Sequence, residues 1–371
     1  MQTKIIQGAE AKSFGRQEKW TLLSPFLKRH GKEALSYSTL QEGMEYFINP
    51  MGYLAFTSVF HPVFARKGRR IVLSDPICAD EDLPRLVRAF LDFAPRAAFV
   101  VVSERCAGLL REMGFKANCI GYEPEIPIQT YNTQGNWKEL DLIKRARNEA
   151  KREGIVIREE AAIEQIGKSQ LNEVSGKWIA RKKVHDREIW IYARRAVFER
   201  EEDVRKFVAY DRDERIAGFV FYDPMYLDDK IFGYAACIAR CDEERFGRLA
   251  TAVNMVAAER FKQEGKEVLN LCLAPFVKLE DGKYNDDRAT NLFFRTSERF
   301  GDNIYNFKGL SFNKAKYRGI EKSLYFASNN PMPSNDVYLA FLSSDITRSY
   351  FSTMGRLLAG VVGGLFGKSR S

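Results

Sequence analysis

The chain has 371 residues, of which 45% are hydrophobic and 29% charged, with 27 Phe, 16 Tyr and 4 Trp. That length and apolar content exclude a wholly disordered or collagen-like chain and suit two domains, or one built by duplication. Lys and Arg number 58 against 49 Asp and Glu, a net charge of +9, which favours an anionic partner such as RNA, a membrane surface or a phosphate-bearing substrate without choosing among them.

In chain order, 32–47 reads as helical. Strands follow at 51–60 and 69–75, with a Lys67-Gly68 turn between them. Leu83, Leu86, Val87, Phe90 and Leu91 recur at helical spacing over 82–93. The continuous apolar run 97–102 predicts a buried strand. Ser103 caps a helix that Gly114 ends, and a strand follows at 117–122. The second half predicts a helix at 171–183, a strand at 188–198 and a helix at 201–208. Strands at 216–222 and 231–239 flank a turn containing Pro224, Asp228 and Asp229. A long amphipathic helix (243–263), a buried strand (268–273), a helix (285–300) and a strand (323–327) complete it. Each half offers strand, strand, helix, strand, helix, strand, which predicts a duplicated mixed α/β sheet. The expected division is a leader at 1–19, a first unit at 20–130, a basic connector at 131–160, a second unit at 161–328 and a tail at 329–371.

Six cysteines (Cys78, Cys106, Cys119, Cys237, Cys241, Cys272) show no CxxC pair, and the start of the chain lacks the apolar core of a signal peptide. This predicts a cytoplasmic protein whose free thiols serve as small apolar residues. Histidine occurs only at 30, 61 and 185. With no Cys/His cluster, no metal site is expected, and His61, between Phe60 and Pro62, reads as structural.

Three stretches carry candidate chemistry. In 144–152, a helix places Lys144, Arg147, Asn148 and Lys151 along one side. Such a side binds phosphates or pairs with carboxylates; a solvated charged helix has the same pattern. In 268–275, Pro275 stops a strand, and Asn270 is a polar group that needs a partner. Ends of central strands are where open α/β sheets bind ligands. In 305–318, the aromatics Tyr305, Phe307, Phe312 and Tyr317 interleave with Lys308, Lys314, Lys316 and Arg318, suiting an anionic substrate or simply a basic surface loop.

Together these stretches make the chain, from about Trp20 to Ala327, resemble the C-terminal catalytic domain of phosphatidylglycerol lysyltransferases. The matching pieces are Ser74-Asp75-Pro76, Gly114-Phe115, Ile120-Gly121 with Glu123 nearby, the basic helix Lys144 to Arg152, Leu271-Cys272-Leu273-Ala274-Pro275, and Tyr305 to Leu310. The resemblance implies two tandem GNAT-like acyltransferase folds that move an aminoacyl group from aminoacyl-tRNA to a lipid head group. It implies Arg240 and Lys308 as charge stabilisers, Asn270 and Tyr305 as positioning groups, and Lys144, Arg147, Asn148 and Lys151 as a phosphate grip. Ala274, Lys314 and Lys316 would lie on the substrate side. The donor is already activated, so neither a cofactor nor a covalent enzyme intermediate is needed.

The chain departs from the family at two points. The family Asp three residues before Arg240 is Cys237, and Lys316-Tyr317-Arg318-Gly319 replaces a family Trp segment. A pyrophosphate loop of the acetyl-CoA enzymes is not recognisable in 242–250, which holds one Gly after two Glu. The alternatives are a fatty-acyl or other N-acyltransferase, and a non-catalytic tandem fold that binds RNA or anionic lipid.

In the tail, Tyr350, Phe351, Met354, Leu357, Leu358, Val361, Val362, Leu365 and Phe366 form one apolar stripe, interrupted on the other side by Arg356. The expectation is an amphipathic helix over 350–366 lying on the anionic inner face of the cell membrane. A terminal helix docked on protein has the same stripe.

Overall fold

The computed structural model describes residues 2–131, 140–160, 163–180, 190–192, 194–242, 244–300 and 307–346. β1 (Lys4–Ile6), α1 (Gly8–Ser13) and α2 (Arg16–His30) precede a first series. This comprises β2 (Glu45–Asn49), β3 (Gly52–His61), β4 (Ala65–Leu73), β5 (Ile77–Cys78), α3 (Leu83–Phe93), β6 (Ala97–Ser103), α4 (Glu104–Glu112) and β7 (Lys116–Pro127). Next come α5 (Asp141–Arg152), β8 (Val156–Glu159) and α6 (Ile163–Ala180), the last interrupted at Gly167. The second series is β9 (Arg205–Tyr210), β10 (Ile216–Leu227), β11 (Lys230–Cys241), α7 (Leu249–Gln263), β12 (Val268–Asn270), β13 (Ala274–Pro275), α8 (Arg288–Phe300), α9 (Phe307–Ala315), β14 (Ile320–Ser328) and α10 (Pro333–Ser343).

The strands form one sheet in the order β1-β2-β3-β4-β6-β14-β7-β12-β11-β10-β9-β8, with β5 beside β3 and β13 beside β7. The pairs β4–β6 and β11–β12 are parallel and the remaining described pairs antiparallel. This is the expected mixed α/β architecture. β6 is apolar along almost its whole length because helices and loops cover both of its faces. Ser103 caps α4 by accepting the Cys106 N–H at 3.2 Å, and Gly114, at φ +88°, ends it. Asp75 fixes this corner by accepting the N–H and hydroxyl of Ser103 at 2.8 and 2.5 Å. Leu86, Val87 and Phe90 of α3 are fully buried, each stabilising the fold by about 1.5–3 kcal/mol.

Several expected elements fall elsewhere. Of the stretch expected as helix, 32–47, residues 32–44 hold no α-helix, only a short 3-10 turn at 37–40, and the helix that precedes them is α2, which Gly31 terminates by donating to Leu27 O at 2.7 Å. Pro25 interrupts its apolar spacing in the sequence. Residues 45–49 are strand, with Tyr46 in one core and Phe47 in another. The helix expected at 201–208 is replaced by β9. Its Phe207 and Ala209 face one core while Val208 and Tyr210 face another, a period of two. The described part of 188–198 is not strand but irregular chain, held partly by the Ile191 N–H on Gln41 Oε1 at 3.1 Å. The hairpin between β3 and β4 turns at 62–64, not at Lys67-Gly68. There His61 Nδ1 accepts the Val63 and Phe64 N–H groups at 3.2 Å each, a structural role for this histidine. Pro224 lies within β10 opposite Tyr234, leaving Asp228-Asp229 as the turn. α7 starts at Leu249, after turns, and the strand expected at 268–273 stops at Asn270. The 350–366 helix lies outside the described residues.

Candidate active site

β14, near the end of the chain, enters the first series. It pairs with β6 on one side and along nearly all of β7 on the other. The gap between those two strands is thereby filled. In the second series the opening lies instead between β11 and β12, the parallel pair that corresponds to β4 and β6. β11 pairs with β12 only at Gly233–Val268, Tyr234–Leu269 and Ala235–Asn270. Beyond that point β12 ends, and residues 236–241 of β11 lose their neighbour on that side.

A cavity of about 280 Å³ occupies this opening. Three β-bulges line it: Val101 in β6, Ile120 in β7 and Cys237 in β11 each stand as an extra residue between paired neighbours. Val101, at φ +60°, is a β-branched residue in the left-handed region, a local cost of order 1–3 kcal/mol. One wall is aromatic, with Phe276 centred 5.3 Å from Phe294 and 4.9 Å from Phe307.

The other wall is cationic. Arg240, buried, stacks on Trp178 of α6 at 5.0 Å and donates to the Ser175 hydroxyl. Lys314 of α9 donates to the carbonyl oxygens of Cys272 and Leu273 at 3.0 and 2.6 Å. Arg194 reaches the same cavity from the irregular segment. It donates to both oxygens of Asp223 (2.6–2.9 Å) and to Glu201 at 2.7 Å, and Lys206 joins Glu201 at 3.1 Å.

Asn270 finds its partners at the edge of this opening. Its Nδ2 donates to Glu125 at 3.3 Å and its Oδ1 accepts the Cys272 N–H at 2.6 Å. Cys272 adopts φ +59°, and its sulfur lies 3.5 Å from that of Cys237. The segment 271–276 then runs against β7. A Cβ on Gly121, at φ +140°, would lie 2.1 Å from the Ala274 oxygen, so the Ile120-Gly121 and Ala274-Pro275 motifs require each other sterically.

A group of carboxylates adjoins the opening. Burial, the Cys272 thiol and Glu125 push Glu123 up to about 8, and burial with Asp75 and Glu123 raises Glu33 as well. The folded chain thus keeps protons that the unfolded chain releases near pH 4.5. Their contribution to stability is complete below that pH and is lost as pH rises towards 8, at most about 1.4 kcal/mol per pH unit for one group. Urea midpoints measured across that window should therefore fall, and Glu123→Gln should flatten the slope. A wild-type midpoint that rises across it would mean that Glu123 is ionised in the fold.

Arg240 and Lys314 line the cavity, Asn270 stands at its edge bonded to Cys272, and Ala274 does not line it. Ala274 is buried against β7. Lys316 stands apart, bonded to Asn313 at 3.0 Å. Arg147, Asn148 and Lys151 are exposed on α5, and neither they nor Lys144 lines the cavity. α5 packs against α7 through Ile143 and Ala146. Lys308 lies in α9, and its side chain, like all of Tyr305, is outside the described residues. Sequence reasoning missed Arg194, Asp223, Trp178 and the contact between Cys237 and Cys272. Treating all six thiols as apolar filling holds for Cys78, Cys106, Cys119 and Cys241, which are buried; Cys237 and Cys272 are part-exposed and line the cavity.

Residues 24–328 match the family described as phosphatidylglycerol lysyltransferase, C-terminal. No curated protein matches the chain. Among solved structures, L-PGS from Bacillus licheniformis is 20% identical, with 88% of this chain and 96% of that one covered and a TM-score of 0.69. The C-terminal domain of a putative lysylphosphatidylglycerol synthetase from Agrobacterium fabrum is 19% identical over 90% of this chain and 99% of that one, with a TM-score of 0.70. A conserved protein of unknown function from Bacteroides thetaiotaomicron is 10% identical over 85% and 97%, with a TM-score of 0.54. These likenesses show a shared fold.

Proposed function

Since the chain belongs to the family of phosphatidylglycerol lysyltransferase C-terminal domains and is a transferase of acyl or aminoacyl groups, we propose that it moves an aminoacyl group from aminoacyl-tRNA to the head group of a phosphatidylglycerol-like lipid. The observation that carries this reading is the cavity at the open edge of β11, apolar on one wall and cationic on the other. An apolar wall suits part of a lipid acceptor, while Arg240 and Lys314 suit an ester carbonyl that gains negative charge. The protein's main task is alignment of acceptor and ester. The exposed cations of α5 suit the donor's phosphates. The approach to α7 is less suited to a CoA pyrophosphate. Asp242 there accepts the Arg245 N–H at 3.3 Å, and Glu149 pairs with Arg248 at the head of the helix.

The proposed setting is the cytoplasmic face of the cell membrane, with the protein peripheral to it. No helix among the described residues is long and apolar enough to cross a bilayer. A lipid profile by mass spectrometry, in cells with and without the protein, tests the reaction: an aminoacylated lipid should appear only with it. RNase treatment of an extract should then abolish product formation. Product that survives RNase and needs acyl-CoA or acyl carrier protein would make the chain a fatty-acyl transferase, a reading the largely apolar cavity also favours.

A further inference from the structure

The sequence calls for no covalent intermediate, yet the opening contains the parts of one. Cys272 and Cys237 are 35 residues apart in sequence and touch at 3.5 Å where β11 and β12 separate. Both line the cavity. Cys237 is presented by a bulge, and Cys272 by a backbone at φ +59°, held there by the Asn270 side chain. Lys314 spends two of its three donors on the carbonyls of Cys272 and Leu273. From these contacts the geometry points to Cys272 as an acyl-accepting nucleophile, with Cys237 and Lys314 as its supports. The transfer would pass through a thioester on Cys272.

The electrostatics agree with the placement. The Cys237 hydrogen bond and the Lys314 charge pull the Cys272 thiol below its ordinary range despite its burial. Burial lowers Lys314, which suits a proton carrier. In the first step the Cys272 thiolate, whose proton already rests on the Lys314 ammonium, attacks the ester carbonyl. The carbon–sulfur bond forms, the carbon–oxygen bond breaks, and Lys314 protonates the departing alcohol. In the second step an acceptor hydroxyl gives its proton to Lys314 and attacks the thioester. The carbon–sulfur bond breaks, which restores the thiolate beside the Lys314 ammonium. No oxidant or further reactant is consumed. Arg240 and Arg194 supply positive charge for both oxyanions.

This inference builds on the transferase reading, and one experiment separates the two. The purified full chain is mixed with p-nitrophenyl acetate, quenched in acid and mapped by peptide mass spectrometry. One acetyl group should appear on the Cys272 peptide at least tenfold faster than on any other cysteine, and hydroxylamine should remove it. Cys237→Ser and Lys314→Met should slow the labelling tenfold or more. In cells, Cys272→Ala should reduce lipid product at least 100-fold. Cys272→Ser, nearly isosteric, should do so while keeping the wild-type melting temperature. Wild-type product from either variant would mean direct transfer, overturning the thioester and leaving the transferase reading intact. Acetyl spread evenly over the cysteines would also overturn it. Selective acylation of Cys272 in a chain that makes no aminoacyl lipid would keep the nucleophile and remove the proposed substrates.

Discussion

Replacing Arg194 with alanine is expected to lower the free energy of unfolding by about 3–5 kcal/mol, a large fraction of what a domain has. Arg194 is 4% exposed and Asp223 is fully buried. Asp223 receives three N–H contacts from this one guanidinium, and its other side-chain hydrogen bond among the described residues, from the Ser38 hydroxyl, is 3.4 Å long. Glu201 keeps Lys206 as a partner at 3.1 Å, so the cost falls mainly on Asp223. Removing the arginine strands a carboxylate in the interior. The double variant Arg194→Met with Asp223→Asn should recover part of the loss, because the orphaned charge is then gone. Urea unfolding of the three proteins checks this. If the single variant loses less than about 1 kcal/mol, the cluster is open to water and the cavity beside it is not a low-dielectric site.

How far the sequence could be read depends on how local each feature is. α3, α4 and β6 were legible because their signals are local: apolar spacing, a serine cap, a terminal glycine, an unbroken apolar run. β9 was misread because both its faces are buried, so the alternation of polar and apolar residues that marks a strand is missing. Insertion of β14 between β6 and β7 was not legible. Nothing in 320–328 encodes which strands, about 200 residues upstream, it will pair with. The same limit applied to the site. Arg240, Asn270 and Lys314 were reached through short motifs in the right order. Arg194 lies in irregular chain with no motif, and its partner Asp223 looked like any acidic residue near a turn. The cysteine pair depends on one bulge and one residue with positive φ, and neither changes the composition of its segment.

Arg240→Ala should reduce transfer by about 10²–10³-fold, the usual cost of losing one fixed donor to a developing oxyanion. The magnitude rests on burial. The guanidinium is almost out of solvent, stacked on Trp178 and tied to Ser175, so its charge is weakly screened and pays little reorganisation during the reaction. It also sits on the free edge of β11, three residues beyond the Cys237 bulge. Nearly all of the loss should appear in kcat, since a group that acts on the transition state contributes little to ground-state binding. Arg240→Lys keeps the charge but cannot keep the planar stack and the Ser175 contact together, so it should recover only part of the rate. Product formation measured against lipid concentration, with thermal melts of each variant, separates this from a packing defect. An Arg240→Ala protein that melts normally and transfers within threefold of wild type would place the oxyanion elsewhere, with Lys314 or Arg194 as the next cations on the same wall.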